Sequence, residues 1–379
     1  MLKKFTVSNY RSFEKPITLD FTKVGEYDFN VDCVKDGLIN KAIIYGKNAV
    51  GKTNLGLAIV DVMTMISDIL SDGVLRQSRS MAAGYINSNS SYEVAKFEYV
   101  FQLDGSEIIY IYEKYAVDKM HSESLTINSE LLYDLNFADK KVNFSNEFAH
   151  LNLENLNDHI PVLRYILNNT ILKESHILKR FENFIKGMRN PESLSDQLDS
   201  SIRTSMHIDC VIKEQHVSKL EDFLQEMGVD IKLIVITMLG KKELYIHYGK
   251  EKAPLPFVEY ASNGTLSLVD LYPYAEIFKT STFMYMDEFD ANFHFKAAKS
   301  MFEKFKKNSN CQTIITTHNT DIMSNKYLRP DCYLLMFPDK IISLMDATDR
   351  KLRRGHNLEK LYQSGEFEEL LDRIGDDDE

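Results

Sequence analysis

The sequence predicts an α/β protein with a mixed β-sheet core, an antiparallel β layer and an inserted helical arm. Three observations support this fold class. An apolar run at 42–45 precedes a glycine-rich loop, and an amphipathic run at 54–70 follows it. Residues 92–117 alternate aromatic or β-branched with polar residues around Asp104-Gly105, a strong signal for a β-hairpin. Between about 150 and 230, apolar residues recur at three- and four-residue spacing, which is typical of helices.

The glycine-rich loop has the pattern G-x-x-x-x-G-K-[ST] in the strand–loop–helix context that binds phosphate. Gly46 and Gly51 allow tight backbone turns, so that N–H groups and the positive end of the following helix face phosphate oxygens. Lys52 supplies a charge for the β- and γ-phosphates, and the Thr53 hydroxyl is placed to ligate Mg²⁺. The sequence therefore predicts a nucleoside triphosphate site. Its predicted phosphate-binding residues are Gly46, Asn48, Ala49, Val50, Gly51, Lys52, Thr53 and Asn54.

The composition of the 379-residue chain is that of a globular protein, with 44% hydrophobic and 27% charged residues. No apolar run approaches the roughly 20 residues that span a bilayer. The alternating start of the chain also lacks the apolar core of a signal peptide. We therefore expect a cytoplasmic protein without membrane association. The four scattered cysteines form no CxxC pair, and we expect them to be reduced and mostly buried.

The net charge of −11 argues against a surface that is built throughout for nucleic acid. Local basic patches are still present. Residues 350–354 form the strongest candidate, and Lys304, Lys306 and Lys307 form a second. Such clusters are more often solvated faces than binding sites. The sequence therefore leaves nucleic acid open as a partner without predicting it.

The remaining elements follow from hydrophobic periodicity and turn residues. They are an edge strand at 2–7, a strand at 17–21, an antiparallel sheet over 92–145, helices at 172–188 and 211–227, and a hairpin with strands at 233–236 and 244–246. We expect three divisions of the chain. Residues 1–150 form the N-terminal part of the core with the β layer, 151–230 an inserted helical arm, and 231–379 the C-terminal part of the core.

A second chemical cluster is Asp287-Glu288, which ends the apolar run 282–286. In phosphate-loop proteins that hydrolyse nucleoside triphosphates, an acid in this position holds the magnesium ion. A buried strand brings its carboxyl end to the mouth of the sheet, where ligands bind in α/β folds. We therefore predict that Asp287 holds the water shell of Mg²⁺ and that Glu288 orients and deprotonates the attacking water.

The β-branched run 313–317 leads directly into His318. If this run is a strand of the same sheet, His318 lies at the same edge as the acidic pair. There it could hydrogen-bond the γ-phosphate or the attacking water. A lone histidine is more often structural, but its place after the strand that follows the acidic one favours a catalytic role.

A fourth cluster, Ser262-Asn263-Gly264-Thr265, precedes a predicted helix. A Ser-x-Gly turn that opens a helix is a second anion site, because of its exposed N–H groups and the helix dipole. One chain cannot easily direct two such sites at one γ-phosphate, whereas two chains that face each other can. The motifs therefore predict a homodimer. Each nucleotide would lie between the phosphate loop of one subunit and the Ser262–Thr265 turn of the other.

In this order, the motifs resemble those of the ABC-type ATPases of the SMC, RecF and OLD group. More narrowly, the chain resembles bacterial AAA-type proteins of that group that are linked to abortive infection and phage defence. Residues 357–367 resemble the family's C-terminal pattern n-l-e-k-x-Y-x-x-G-x-F. No acidic cluster after residue 330 resembles the Toprim nuclease that OLD-type proteins carry. The matching segments are 7–13, 46–55, 262–265, 287–294, 316–319 and 357–367.

The resemblance implies a switch that binds ATP and Mg²⁺, closes a head-to-head dimer and hydrolyses ATP. It also implies that Arg11 lies near the nucleotide and that the segment around His294 contacts the other subunit. The output would be phage defence through a separate effector protein, such as a nuclease. The alternative is a DNA-repair or DNA-clamp ATPase of the RecF type. A transporter subunit is disfavoured because residues 92–230 have no place in it, and a small-molecule kinase because of the Ser-x-Gly turn.

Overall fold

A computed structural model gives the structure of the chain. It describes residues 1–67, 84–139, 141–148, 151, 156–190, 200–238, 240–249, 252–289 and 295–367. The chain divides into two compact units. The first unit comprises 1–190, 282–287 and 309–379, and the second comprises 191–281 and 288–308. The bounds of the second unit thus differ from those of the predicted arm at 151–230.

The strands of the described residues are numbered in chain order. They are β1 (Leu2–Ser8), β2 (Ile17–Asp20), β3 (Val34–Lys35), β4 (Leu38–Ile39), β5 (Lys41–Tyr45), β6 (Ala95–Leu103), β7 (Ser106–Ala116), β8 (Lys119–Ile127), β9 (Glu130–Asn136), β10 (Lys141–Phe144), β11 (Met188–Arg189), β12 (Leu233–Met238), β13 (Lys241–Ile246), β14 (Leu255–Pro256), β15 (Phe283–Met286), β16 (Gln312–Thr316), β17 (Tyr333–Met336) and β18 (Ile341–Ser343).

The α-helices of the same residues are numbered likewise. They are α1 (Lys52–Val60), α2 (Val162–Asn169), α3 (Ile177–Lys186), α4 (Ser200–Lys213), α5 (Val217–Glu226), α6 (Phe257–Tyr260), α7 (Asn263–Thr280), α8 (Phe295–Lys307) and α9 (Leu358–Gln363). A 3₁₀ turn, Asp61–Met65, continues α1. Among these helices, none combines the length and the hydrophobicity that crossing a bilayer requires.

The core sheet of the first unit has the strand order β11-β15-β16-β5-β17-β18. Its strands pair in parallel except for β18, which is antiparallel to β17. Every residue of β5, β15, β16 and β17 is buried, as is typical of parallel strands that are covered on both faces. The carboxyl ends of the central strands are in register, because Ile44 of β5 pairs with Thr316 of β16 and Met286 of β15 pairs with Ile315.

The second sheet of the first unit is antiparallel, in the order β10-β9-β8-β7-β6-β1-β2. Along β6, buried and half-buried residues alternate, as the period-two pattern predicts. The predicted antiparallel layer is therefore confirmed. The prediction of an edge strand at 2–7 is wrong, because β1 lies between β2 and β6. The partner β6 lies about 90 residues further along the chain, and no local pattern indicates such a pairing.

The second unit contains α4 to α8 and the small antiparallel sheet β12-β13-β14. The predicted hairpin is confirmed, since Leu233 to Met238 pair antiparallel with Ile246 to Lys241. The predicted helix 211–227 is wrong in one respect. It contains a break, at which α4 ends and α5 begins. Gln215 in this break has φ 59°, a left-handed conformation that interrupts a helix.

A buried ion pair joins the end of α1 to the antiparallel sheet. Lys114 Nζ lies 2.7 Å from Asp61 Oδ2, and both side chains are almost fully inaccessible. The hydroxyls of Tyr85 and Tyr112 also donate to the Asp61 carboxylate, at 3.1 and 2.8 Å. Lys114 donates a further hydrogen bond to Thr64 Oγ1, at 2.6 Å. Burial lowers the pKa of Lys114, while the adjacent Asp61 charge acts in the opposite direction.

We expect Lys114→Met to lower the free energy of unfolding of the first unit by about 3 kcal/mol, since it leaves a buried carboxylate without its cation. Asp61→Asn/Lys114→Met should recover most of this loss. The matched control is Lys96→Met, because Lys96 forms an exposed pair with Glu98 in the same sheet. Its loss should cost less than about 1 kcal/mol. Urea unfolding monitored by circular dichroism measures the difference, and equal costs at the two lysines would contradict the prediction.

Candidate functional site

The edge of the core sheet at the carboxyl ends of β5, β15 and β16 brings predicted site residues together. Gly46 directly follows β5, Asp287 directly follows β15, and His318 lies two residues after β16. The Thr53 hydroxyl donates a hydrogen bond to Asp287 Oδ2. Lys52 Nζ lies 3.1 Å from His318 Nε2. Three stretches that are far apart in the sequence therefore meet through direct side-chain contacts.

The phosphate loop leads from β5 into α1 with the conformation that its two glycines allow. Gly51, the residue before α1, has φ 104°, which an L side chain rarely adopts. A Cβ atom there would lie 2.7 Å from both the Phe13 ring and Ser12 Oγ. At Gly46, a Cβ atom would lie 2.8 Å from the Met336 carbonyl oxygen. Close packing thus explains both glycines and backbone conformation also explains Gly51, while the loop residues Asn48 and Ala49 between them are exposed.

The Lys52 ammonium group is buried at the base of the loop. It donates hydrogen bonds to the carbonyl oxygens of Gly46 and Lys47, at 2.9 and 3.1 Å. Its third contact here is His318 Nε2. Because an ammonium group can only donate, Nε2 must accept, and the ring proton of the neutral imidazole is therefore on Nδ1. Phosphate oxygens are stronger acceptors than carbonyl oxygens, so a triphosphate in the loop would compete for this ammonium group.

The Asp287 carboxylate is held by two hydroxyl groups. Thr53 donates to Oδ2, and Thr316, which is fully buried, donates to Oδ1 at 2.5 Å. Hydroxyl and carboxylate oxygens are the ligands that Mg²⁺ prefers, and Mg²⁺ keeps several of its waters, so few protein ligands are needed. Thr53 and Asp287 therefore fit a magnesium site. Within the described ranges, no three or more His, Cys, Asp or Glu side chains form a group that could hold a metal ion.

The sequence places Thr316 in a predicted strand and in the matching segment 316–319, but neither assigns it a role in the site. Hydroxyl residues are common in strands, so the residue type alone does not single it out. A signal was nevertheless present. Thr316 is the last residue of β16, and its register partner in β5 is Ile44, two residues before the loop. A polar residue at the carboxyl end of a parallel strand, next to a phosphate loop, is a candidate site residue.

Glu288 directly follows Asp287 and is the first residue of the segment 288–308 of the second unit. Its side chain is exposed and its φ is 42°. A residue other than glycine with positive φ is uncommon outside turns and functional sites. The next residue, Phe289, is buried and packs against Phe305 at a ring distance of 5.6 Å. The predicted contact segment around His294 lies outside the described residues.

Arg11 lies in a turn that packs against the phosphate loop. The turn residue Ser12 accepts a hydrogen bond from Asn54 Nδ2, at 2.8 Å. Arg11 itself has φ 50°, and its carbonyl oxygen accepts from Asn87 Nδ2 at 2.6 Å. Its guanidinium carbon lies 5.7 Å from the centre of the Tyr10 ring. The structure thus places Arg11 one residue from a direct contact with the loop region.

The Ser262–Thr265 turn belongs to the second unit. Ser262 is the N-cap of α7, and its Oγ accepts from the Thr265 N–H at 3.1 Å. Asn263 and Gly264 are exposed. A Cβ atom on Gly264 would meet a single neighbour within 4 Å, Ser262 Oγ at 3.7 Å. Packing within the described residues therefore does not require a glycine at this position.

A sequence model of one protein family matches residues 41–324. The family is described as "AAA domain, putative AbiEii toxin, Type IV TA system". The chain belongs to this family. The match includes the phosphate loop, the Ser262–Thr265 turn, the acidic pair and His318. The predicted α/β fold of the phosphate-loop type is confirmed, and the loop at 46–53 lies within the matched AAA domain.

Solved structures with a similar fold include two SMC head domains and RecF. They are the SMC head bound to the C-winged helix domain of ScpA (15% identity, 91% of this chain and 98% of that chain covered, TM-score 0.49), the SMC head domain from Thermotoga maritima (15% identity, 90% and 98% covered, TM-score 0.45), and RecF with ATP from the RecFOR pathway (14% identity, 91% and 99% covered, TM-score 0.37). A sequence search among curated proteins gave no significant match.

Thr316→Val tests whether the buried hydroxyl orients Asp287. We expect it to weaken the magnesium-dependent affinity for ATP about tenfold, because groups that orient metal ligands typically contribute this much. Thr316→Ser keeps the hydroxyl and should bind as the wild type does. A fluorescent ATP analogue, titrated with Mg²⁺ and separately with EDTA, provides the measurement. An equal loss of affinity in EDTA would show that Thr316 acts on the loop rather than through Asp287.

Proposed function

We propose that the protein is an ATP-hydrolysing molecular switch that closes as a head-to-head dimer around MgATP. The supporting observation is the contact cluster at the end of β5, β15 and β16. There, Lys52 contacts His318, and Thr53 and Thr316 both contact Asp287. A phosphate-binding cation, a metal-binding carboxylate and a histidine that can orient water at one sheet edge are groups suited to phosphoryl transfer to water.

In this proposal, Lys52 binds the β- and γ-phosphates and thereby leaves His318. The Nε2 atom of His318 is then available to hydrogen-bond the γ-phosphate or the attacking water. Thr53 and Asp287 hold Mg²⁺, which neutralises charge on the β- and γ-phosphates when bound. Glu288 is the general base that orients and deprotonates the water. Arg11 and Asn54 line the nucleotide side of the loop.

The proposed dimer depends on the Ser262–Thr265 turn of the other subunit. This turn opens α7, a helix of 18 residues, and its Ser262, Asn263 and Gly264 are exposed. Backbone N–H groups and the positive dipole end at such a helix start favour an anion. An exposed glycine that the packing does not require leaves room for a phosphate to approach the backbone closely. Both features suit a second contact to the γ-phosphate, provided by the other chain.

The proposed output is abortive infection, in which the ATP-bound dimer acts on a separate effector such as a nuclease. The family description "putative AbiEii toxin, Type IV TA system" supports a role in a toxin–antitoxin system, while the separate effector is part of the proposal alone. Phage plating on bacteria that express the protein together with its neighbouring genes is the direct test. Protection that is lost with Lys52→Ala would support the role, and equal plating with and without the intact genes would contradict it.

Glu288→Gln should keep ATP binding but slow hydrolysis by about 100-fold, because it removes a general base. We therefore expect it to accumulate as an ATP-bound dimer, whereas the wild type returns to monomer as ATP is consumed. Lys52→Ala should lose both ATP binding and ATP-dependent association. Light scattering after size-exclusion chromatography, with MgATP or MgADP, measures the change. Dimers that form regardless of the nucleotide would contradict the proposal.

Gly264→Ala tests whether the Ser262–Thr265 turn contributes to dimerisation, because the substitution should not impair folding. Alanine is favoured over glycine in a helix by up to about 1 kcal/mol, so thermal stability should be unchanged or slightly higher. ATP should still bind to the monomer, while ATP-dependent dimerisation should be lost because the added methyl group meets the incoming phosphate. Gly355→Ala is the control for a glycine outside the proposed interface, since a Cβ atom there meets no neighbour within 4 Å. Normal dimerisation of Gly264→Ala would exclude the turn from the interface.

A further inference from the structure

The C-terminal segment 357–367 has no role in the site described above, although it matches the family resemblance closely. It contains α9, whose two ends are capped by its own residues. The Asn357 side chain accepts a hydrogen bond from the Lys360 N–H at 3.1 Å. At the other end, Gly365 has φ 80°, and Glu366 donates its N–H to the Leu361 carbonyl at 3.2 Å. This is the Schellman arrangement that ends many helices.

Two further residues of the segment anchor it in the core, since Leu358 and Phe367 are almost fully buried. Folding therefore accounts for the asparagine, the leucine, the glycine and the phenylalanine of the segment. It does not account for Glu359 and Tyr362, which are only half-buried. Both of these side chains contact residues that adjoin the ATP site.

Tyr362 acts on the site through Tyr45, the residue before Gly46. The two rings lie 6.2 Å apart at their centres, and Tyr333 lies 6.3 Å from Tyr45. These aromatic contacts fix the fully buried Tyr45 ring. The Tyr45 hydroxyl in turn donates a hydrogen bond to the Asn319 carbonyl oxygen, at 3.2 Å. Tyr362 thus supports a contact to the residue that follows His318.

Glu359 contacts Thr320, the residue after Asn319. Its Oε1 atom accepts a long hydrogen bond from Thr320 Oγ1, at 3.4 Å, and another from Gln363 Nε2, at 3.1 Å. On the other side of His318, the buried Thr317 hydroxyl accepts from the Asn319 N–H at 2.9 Å. His318 itself is exposed, so its position depends on the residues around it.

We propose that Glu359 and Tyr362 are positioning residues that hold the segment 318–320, so that His318 Nε2 faces the Lys52 ammonium group and the γ-phosphate site. The inference rests on the proposed ATPase function. It assigns to α9 the task of keeping the histidine in place during hydrolysis. The physical reason is that catalysis by a histidine on a loop needs the loop to be held within a fraction of an ångström.

The first test compares binding with turnover. Glu359→Ala, Thr320→Val and Tyr362→Leu should each lower kcat about tenfold while changing the Kd for ATP by less than about twofold, because a misplaced group mainly affects the chemical step. Glu359→Gln, Thr320→Ser and Tyr362→Phe keep the acceptor, the donor and the ring, and should restore the wild-type rate. Thr320→Val also serves if Glu359→Ala destabilises α9. Unchanged kcat in these variants, or an equal loss in the conservative ones, would overturn the inference.

The second test asks whether the effect passes through His318. In a His318→Ala background, adding Glu359→Ala should lower kcat no further, and a multiplicative loss would overturn the inference. A third readout needs no turnover. With ¹³C-labelled histidine, the ring signal of His318, assigned from His318→Ala, should shift in Glu359→Ala and Thr320→Val but not in Thr320→Ser. If the wild type hydrolyses no ATP, the proposed function fails, and this spectrum still decides whether α9 positions His318.

Discussion

The parallel pairing of β5, β15 and β16 is the constraint on which the candidate site depends. Each of these strands is four or five residues long and fully buried, so its side chains can only pack into the core. The chemistry is therefore carried by the residues at the carboxyl ends. Because Ile44 pairs with Thr316 and Ile315 pairs with Met286, the three strands end within two residues of one another. A register shift of one residue would separate Thr53, Thr316 and Asp287.

Helix α1 connects the site to both sheets of the first unit through hydrogen bonds near its two ends. At its start, the Lys52 carbonyl oxygen accepts a hydrogen bond from the buried Tyr285 hydroxyl of β15, at 2.6 Å. Near its end, the Ala58 carbonyl oxygen accepts from the Tyr99 hydroxyl of β6, at 2.7 Å. The next turn carries Asp61, which pairs with Lys114 of β7. The helix that presents Lys52 and Thr53 is thus fixed between two sheets, and a polar group near each end is satisfied by a different sheet.

Local chemistry made much of this site predictable, whereas pairing over long distances in the chain did not. The phosphate loop, Asp287 and His318 follow from residue types at the ends of apolar runs, and the structure brings them to one edge. Whether Thr316 belongs to the candidate site depends on the strand register, which a single sequence does not specify. The central position of β1 depends on pairing with β6, and loop closure over such a distance leaves no local pattern.

The break between α4 and α5 is another feature that the sequence pattern does not predict. Apolar residues keep their helical spacing across it, so periodicity predicts one continuous helix. The structure instead places Gln215 at φ 59°, and the His216 N–H donates to the Val211 carbonyl, at 2.8 Å. Glutamine is not a residue that usually signals such a turn. The bounds of the two units are similarly hard to infer, because the chain leaves the first unit and returns to it twice.

The hydroxyl group of Ser262, the N-cap of α7, can both accept and donate hydrogen bonds. A serine hydroxyl has one proton to donate and two lone pairs that accept. In Ser262, a lone pair is used for the Thr265 N–H, and this stabilises the helix of its own chain. The same oxygen lies 2.9 Å from Thr265 Oγ1, and either hydroxyl can donate in that contact. A phosphate oxygen at the turn would therefore compete with Thr265 for the Ser262 proton. An aspartate would cap the helix equally well, but it has no proton to donate and would repel the anion.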